Sequence, residues 1–240
     1  MNWLVNIDLS IFHAINDYCG RSWAFDHLLG SLQGNNLIGG GLYLASFWAL
    51  WLQPTDGQAR REILITLLFA VVLSLILNRL LSVIVPFRVR PMYEPGIGFR
   101  APLYDEPPHY DLESWSSFPS DNATFFFALT TGFWLLSRRL GIFFVLFSIV
   151  WGTLPRVYFG IHYPSDVLVG ALIGIGVTIA LERQRVRGLV ASPVLALKER
   201  APTCFNFLMF LLTFETANLF VNLRRSGKGF LHLLQHHHYL

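Results

Sequence analysis

Apolar residues gather along the chain in five blocks, about 36–52, 63–86, 121–137, 141–158 and 164–181, with arginines, prolines and acids between them. A bilayer core about 30 Å thick takes roughly 20 helical residues, and about 17 is a usable minimum. Each block meets or approaches that length. The third is short but begins beside a polar loop that can lie below the membrane surface. Five such runs cannot hide in one small soluble core. The pattern predicts an all-α integral membrane bundle of about five to six transmembrane helices, with amphipathic interfacial helices beside it.

The flanking segments follow a different rhythm. In residues 3–28, Trp3, Leu4, Ile7, Ile11, Phe12 and Ile15 fall near helical spacing with Asp8, His13 and Asp17 between them. That spacing predicts a helix lying in the outer interface, with a sixth span as the alternative. Residues 204–223 are apolar but carry a polar stripe at Glu215, Asn218, Asn222 and Arg225. Crossing would carry Arg224, Arg225 and Lys228 outward, so the segment is expected to lie in the plane of the cytoplasmic face. The division is thus a membrane-embedded domain over 1–182, with 1–28 interfacial, and a cytoplasmic or interfacial extension over 183–240. His236, His237 and His238 read as a solvated tail.

Composition agrees with burial in lipid. Of 240 residues, 53% are hydrophobic and 14% charged, and the mean hydropathy is +0.48. A soluble domain needs more charge to cover its surface. The net charge of +3 comes without a basic face or base-stacking motif, so nucleic acid is not an expected partner. Two cysteines, Cys19 and Cys204, imply no disulfide framework. No positive n-region opens the chain, so insertion is expected to rest on internal apolar segments.

The arginines set a direction. Arg60 and Arg61, Arg138 and Arg139, and Arg183, Arg185 and Arg187 fall on one side if the spans alternate. The positive-inside rule makes that side cytoplasmic. The loops 87–120 and 159–163 then face outward. The longer loop holds Glu94, Asp105, Glu106, Asp111 and Glu113, and its Tyr93, Phe99, Tyr104, Tyr110 and Trp115 suit a lid or an interfacial belt.

Three polar clusters sit at the outward ends of the spans: Arg88-Val89-Arg90-Pro91, Phe118-Pro119-Ser120-Asp121-Asn122, and Arg156 with His162 and Asp166. Ionisable groups that converge at span ends mark a functional site by default. The chemistry they suit is phosphoryl transfer. Arg90 and Arg156 can hold phosphate oxygens through forked hydrogen bonds. Ser120 stands where a helix N-cap belongs, and the free N–H groups just after it face an anion. His162 and Asp166 are about one helical turn apart, so the carboxylate can fix the imidazole tautomer and leave the other nitrogen free to attack phosphorus.

These residues resemble the type 2 phosphatidic acid phosphatase superfamily, which also includes vanadium haloperoxidases. The family motifs are Lys-x6-Arg-Pro, Pro-Ser-Gly-His and Ser-Arg-x5-His-x3-Asp. Arg156, His162 and Asp166 reproduce the spacing of the third, with Pro155 in place of the serine. Pro119-Ser120-Asp121-Asn122 matches the second, and Arg90-Pro91 matches the end of the first. The resemblance covers roughly residues 60–182, and its Ser-Asp form is similar to the branch acting on undecaprenyl diphosphate. It implies His162 as a nucleophile forming phosphohistidine and Asp166 as its orienting group. Arg90, Arg156 and Ser120 would hold phosphate, with Asp121, Asn122 and Arg88 also at the substrate. No metal or other cofactor is implied. The implied partners are a lipid phosphate or diphosphate and the lipids of a bacterial inner membrane, with the site facing the periplasm.

Two positions depart from the motifs. The first-motif lysine falls at Val83, and Arg88 is a nearer replacement than Arg79. The second-motif histidine, assigned in the family to protonating the leaving group, is Asn122. Asparagine is no general acid in this pH range. Loss of a general acid costs on the order of 10²–10⁴-fold where protonation is required. A lipid monophosphate leaves without a proton far more readily than a lipid alkoxide, so Asn122 favours diphosphate substrates; a relay through His109 is an alternative. A phosphotransferase using the same phosphohistidine, and a binding-only protein, are the competing expectations.

Overall fold

The computed structural model describes residues 3–35, 37–54, 57–103 and 112–220, and its regular elements are all helical. The chain runs α1 (Trp3–Asn16), α2 (Trp23–Gly34), a π turn (Leu37–Gly41) leading into α3 (Leu42–Trp51), and α4 (Gly57–Ile84). After a long loop come α5 (Asp121–Leu136) and α6 (Arg138–Phe147), which continues through a π turn (Ser148–Thr153) into α7 (Leu154–Tyr158). Then follow α8 (Pro164–Leu181), α9 (Gln184–Arg200) and α10 (Pro202–Ala217). The five apolar blocks correspond to α3 with its π turn, α4, α5, α6–α7 and α8. By length and composition Gly57–Ile84, Arg138–Tyr158 and Pro164–Leu181 can cross a membrane, and Leu37–Trp51 is a shorter apolar helix.

Helix α5 is the hub, and small residues of α8 let it come close. A Cβ on Gly170 would stand 2.4 Å from the Ser120 carbonyl oxygen, and one on Gly174 would stand 2.3 Å from that of Thr124. Any larger side chain would push the two backbones apart. Because they touch, the Ser120 N–H donates to the Asp166 carbonyl at 3.0 Å. The starts of α5 and α8 are therefore locked together, and these carry Ser120 and Asp166. Aromatic packing fills the other side of α5. Tyr43 of α3 stacks on Phe144 with centroids 4.3 Å apart, and Phe133 stacks on the same ring at 4.8 Å. The Tyr43 hydroxyl lies 2.7 Å from Ser148 Oγ and 3.2 Å from Thr130 Oγ1, so this buried polar tip is satisfied.

The segment expected over 3–28 divides into two helices around Gly20, which has φ +73°. With 14 and 12 residues, α1 and α2 are each too short to cross. In α1 the apolar residues Trp3, Leu4, Val5, Ile7 and Ile11 are exposed, while Asp8, Phe12 and Asn16 form the buried stripe. An outward apolar face suits a helix bedded in the membrane interface.

Within the segment expected to lie in the plane of the membrane, α10 packs on α3. Phe205 stacks on Trp51 at 5.8 Å, Trp48 Nε1 donates to Thr213 Oγ1 at 3.3 Å, and Ala217 abuts Gly40. Helix α10 therefore runs antiparallel to α3 along the bundle. Its buried stripe, Phe205, Met209, Thr213 and Thr216, is the face turned to the bundle. Asn222, Arg224, Arg225, Lys228 and His236–His238 lie outside the described residues.

Candidate active site

The site forms where the loop after α4, the start of α5 and the α7–α8 turn meet. The turn is held by local chemistry. The Arg156 carbonyl accepts from the N–H of Ile161 at 2.9 Å and of His162 at 3.2 Å. Gly160 has φ +65°, and a Cβ there would stand 2.5 Å from the Phe99 ring. Its carbonyl accepts from the Met92 N–H at 2.9 Å, which docks the segment carrying Arg90. Pro164 opens α8, and Asp166 reaches back from the first turn so that its Oδ2 accepts from the Tyr163 N–H at 2.8 Å.

His162 is 7% exposed. Its Nδ1 lies 2.7 Å from the Ser117 carbonyl oxygen. A carbonyl only accepts, so Nδ1 carries the proton and Nε2 presents its lone pair. Arg90 Nη1 lies 3.5 Å from Nε2. Asp166 Oδ2 is 3.8 Å from Nδ1, so it acts on the ring mainly through charge. Burial holds the imidazole below its ordinary value of 6.5; Asp166 opposes that shift, and Arg90 and Arg156 add to it. A neutral imidazole with one free nitrogen is a competent nucleophile at neutral pH.

Arg90 is clamped by three carbonyls: Nε donates to Leu112 O at 3.2 Å, Nη1 to Ile161 O at 2.9 Å and Nη2 to Ser116 O at 3.3 Å. Burial, with the neighbouring Arg156 next, pushes its pKa down to about 10, so it stays charged at neutral pH. Ser120 caps α5, its Oγ accepting from the Ala123 N–H at 3.4 Å. The opening N–H groups of that helix have no intrahelical acceptor and suit an anion. Asn122, with its amide oxygen turned to the guanidinium, accepts from Arg156 Nε at 2.6 Å and also from its Nη2.

Three residues expected at the substrate have protein partners of their own. Arg88 Nη1 donates to Asp166 Oδ1 at 2.5 Å and to Ser165 Oγ at 2.8 Å, and Nη2 donates to Asp8 Oδ2 at 2.7 Å. Its guanidinium also covers the Tyr163 ring at 3.9 Å. Arg88 therefore stands behind Asp166. Asp121 is turned towards α4, paired with Arg79 and accepting from Asn78 Nδ2 at 2.5 Å. A carboxylate repels phosphate, and this one is paired with Arg79. Asn122 faces Arg156, as described above. Of the two candidate replacements for the motif lysine, Arg88 is paired with Asp8 and Asp166, and Arg79 with Asp121. Val83 is 82% exposed, and Arg79, one turn earlier on that helix face, sits beside the start of α5 and over Trp115 at 4.4 Å.

Sequence reasoning missed the Ser117 carbonyl, the three carbonyls on Arg90, Asn78, and the pairing of Asp8 with Arg88. His109 lies outside the described residues. So do Tyr104, Asp105, Glu106, Tyr110 and Asp111.

Residues 63–187, just over half of the chain, match the PAP2 superfamily model, and the chain belongs to that superfamily. It is a helical membrane protein of a phosphatase class. Among its relatives, Lipid A 1-diphosphate synthase of Escherichia coli (strain K12) is 27% identical over 179 residues, 71% of this chain and 72% of the relative. Bacitracin transport permease protein BcrC of Bacillus licheniformis is 35% identical over 60 residues, 25% of this chain and 29% of the relative. The crystal structure of Aquifex aeolicus LpxE is similar with a TM-score of 0.49 and 24% identity, over 72% of this chain and 93% of that one.

Proposed function

We propose that the protein hydrolyses lipid diphosphates, with undecaprenyl or a related polyprenyl diphosphate as the substrate class, through a phosphohistidine on His162. The site lies within residues 1–182, at the membrane face opposite the arginine-rich loops. By the positive-inside rule that face is the periplasmic side of a bacterial inner membrane. The observation that carries this reading is the pairing of a lone pair on His162 Nε2, aimed at the Arg90 fork, with an asparagine where a leaving-group acid would stand.

In the first step Nε2 attacks the terminal phosphorus. The P–N bond forms as the bond to the bridging oxygen breaks, and the lipid monophosphate leaves with the electron pair. Arg90, Arg156 and the α5 N-terminus hold the equatorial oxygens as charge spreads over them. Asp166 stabilises the positive charge that develops on the ring. Water then attacks the phosphohistidine, giving inorganic phosphate, a proton and the free imidazole.

The test is phosphate release across a panel of lipid mono- and diphosphates for wild type, His162→Ala and Asn122→His. Diphosphates should be turned over, His162→Ala should be inert, and Asn122→His should gain on monoesters. Equal turnover of phosphatidate and polyprenyl diphosphate by wild type would refute the substrate assignment. A second reading is favoured by the relative named Lipid A 1-diphosphate synthase. The same phosphohistidine would pass its phosphoryl group to a lipid acceptor, and a phosphorylated acceptor in place of free phosphate identifies that outcome.

A further inference from the structure

We propose that Asp8, in the interfacial helix α1, is a positioning residue for His162, acting through Arg88 and Asp166. The proposal builds on the reading of His162 as the nucleophile. Asp8 is far from His162 along the chain and outside the 63–187 family match. It is 7% exposed despite its charge. A buried carboxylate must be paired, and each oxygen of Asp8 is. Oδ1 accepts from the Ser165 N–H at 2.8 Å, while Oδ2 accepts from Ser165 Oγ at 2.6 Å and from Arg88 Nη2 at 2.7 Å. Arg88 spends its other terminal nitrogen on Asp166 and Ser165. The order is thus carboxylate, guanidinium, carboxylate, imidazole.

The charges explain why two carboxylates share one arginine. A lone Arg88 would neutralise Asp166 and leave His162 facing Arg90 and Arg156 with little to offset them. Asp8 takes up part of the Arg88 charge, so that of Asp166 remains available to the ring. The charged groups facing His162 are Asp166 from α8, Arg90 from the loop after α4, and Arg156 from α7. Behind Asp166 stand Arg88 and Asp8, and Glu94 faces the adjoining Tyr163. Asp8 also bonds the first turn of α8 through Ser165, so seating of α1 and alignment of Asp166 depend on one another. The apolar side of α1 is exposed for lipid, which ties the catalytic couple to a helix at the interface.

The test is a ring titration of His162 in the full chain in detergent, using isotope-labelled histidine and assignment by difference against His162→Ala. Asp8→Asn keeps the shape and removes the charge. It should lower the His162 midpoint by on the order of one pH unit, the scale of one uncompensated nearby charge. Arg88→Gln should move the midpoint the opposite way, and the double variant should return towards wild type. Asp17→Asn, which removes one partner of the exposed Asp17–Arg100 pair, should leave it in place. Arg88→Gln keeps the proposal testable should Asp8→Asn fail to fold. An unmoved midpoint in either variant overturns the proposal, whether or not the protein turns over lipid diphosphates. Conversely, a wild type that releases no phosphate defeats the functional reading and leaves the titration result standing.

Discussion

Replacing Arg90 with lysine keeps the charge and removes the fork, so it separates position from electrostatics. Three carbonyls, those of Leu112, Ser116 and Ile161, are held by three different nitrogens of the guanidinium. A lysine carries its three donors on one nitrogen and cannot serve all three acceptors and a phosphate together. At least one buried carbonyl loses its partner, at a cost of about 1–3 kcal/mol in stability. The phosphate meanwhile loses a planar contact beside Nε2. A hundredfold fall in kcat/KM corresponds to about 2.7 kcal/mol of transition-state stabilisation, a reasonable share for such a contact. Phosphate release from a lipid diphosphate and thermal unfolding in the same detergent read the two effects separately. Activity within about threefold of wild type, with unchanged melting, would refute the account of Arg90 as a clamped phosphate fork.

Further consequences follow from the same geometry. His162 is held below 6.5 and must be neutral to attack, so the acid limb of kcat/KM for diphosphate hydrolysis should lie below that value; an acid limb above 7 contradicts the assignment. Gly160→Ala forces a left-handed conformation costing about 1–2 kcal/mol and drives a Cβ into the Phe99 ring, so both melting temperature and activity should drop. Glu182, at the arginine-rich end and 8% exposed, has its pKa pushed up to about 8 by burial, with Arg187 opposing. Among the described residues neither of its carboxyl oxygens has a hydrogen-bond partner. The folded state binds a proton that the unfolded chain releases near 4.5, so stability should fall as pH rises from about 4.5 to 8. Glu182→Gln should flatten that slope and melt higher than wild type at pH 8.5; an unchanged slope refutes it.

The parts of the site that were legible in the sequence are those built locally. Arg156 lies in α7, His162 in the turn that follows and Asp166 in the first turn of α8, so their spacing alone carries their geometry. Ser120 was legible because an N-cap is a property of its own neighbourhood. Partner choice at longer range was not. Asp121 lies one residue after the cap, yet it turns to Arg79 because α4 leans over the start of α5. Arg88 and Arg90 are two residues apart, a spacing that in a regular extended segment would put both on one side, yet one stands behind Asp166 and the other beside Nε2. The Ser117 carbonyl that fixes the imidazole tautomer leaves no trace in residue identity, since every residue has a carbonyl. For α10, the stripe of Glu215 and Asn218 does not show which face packs: Thr213 and Thr216, polar but small, pack on the bundle and bond backward along their own helix.

The most direct measurement is to trap the phosphoenzyme. Protein mixed with a polyprenyl diphosphate labelled at its terminal phosphate and quenched within the first turnover should carry an acid-labile, alkali-stable label that maps to His162 and disappears in His162→Ala. Label on a different residue, or undiminished phosphate release from His162→Ala, would contradict the account.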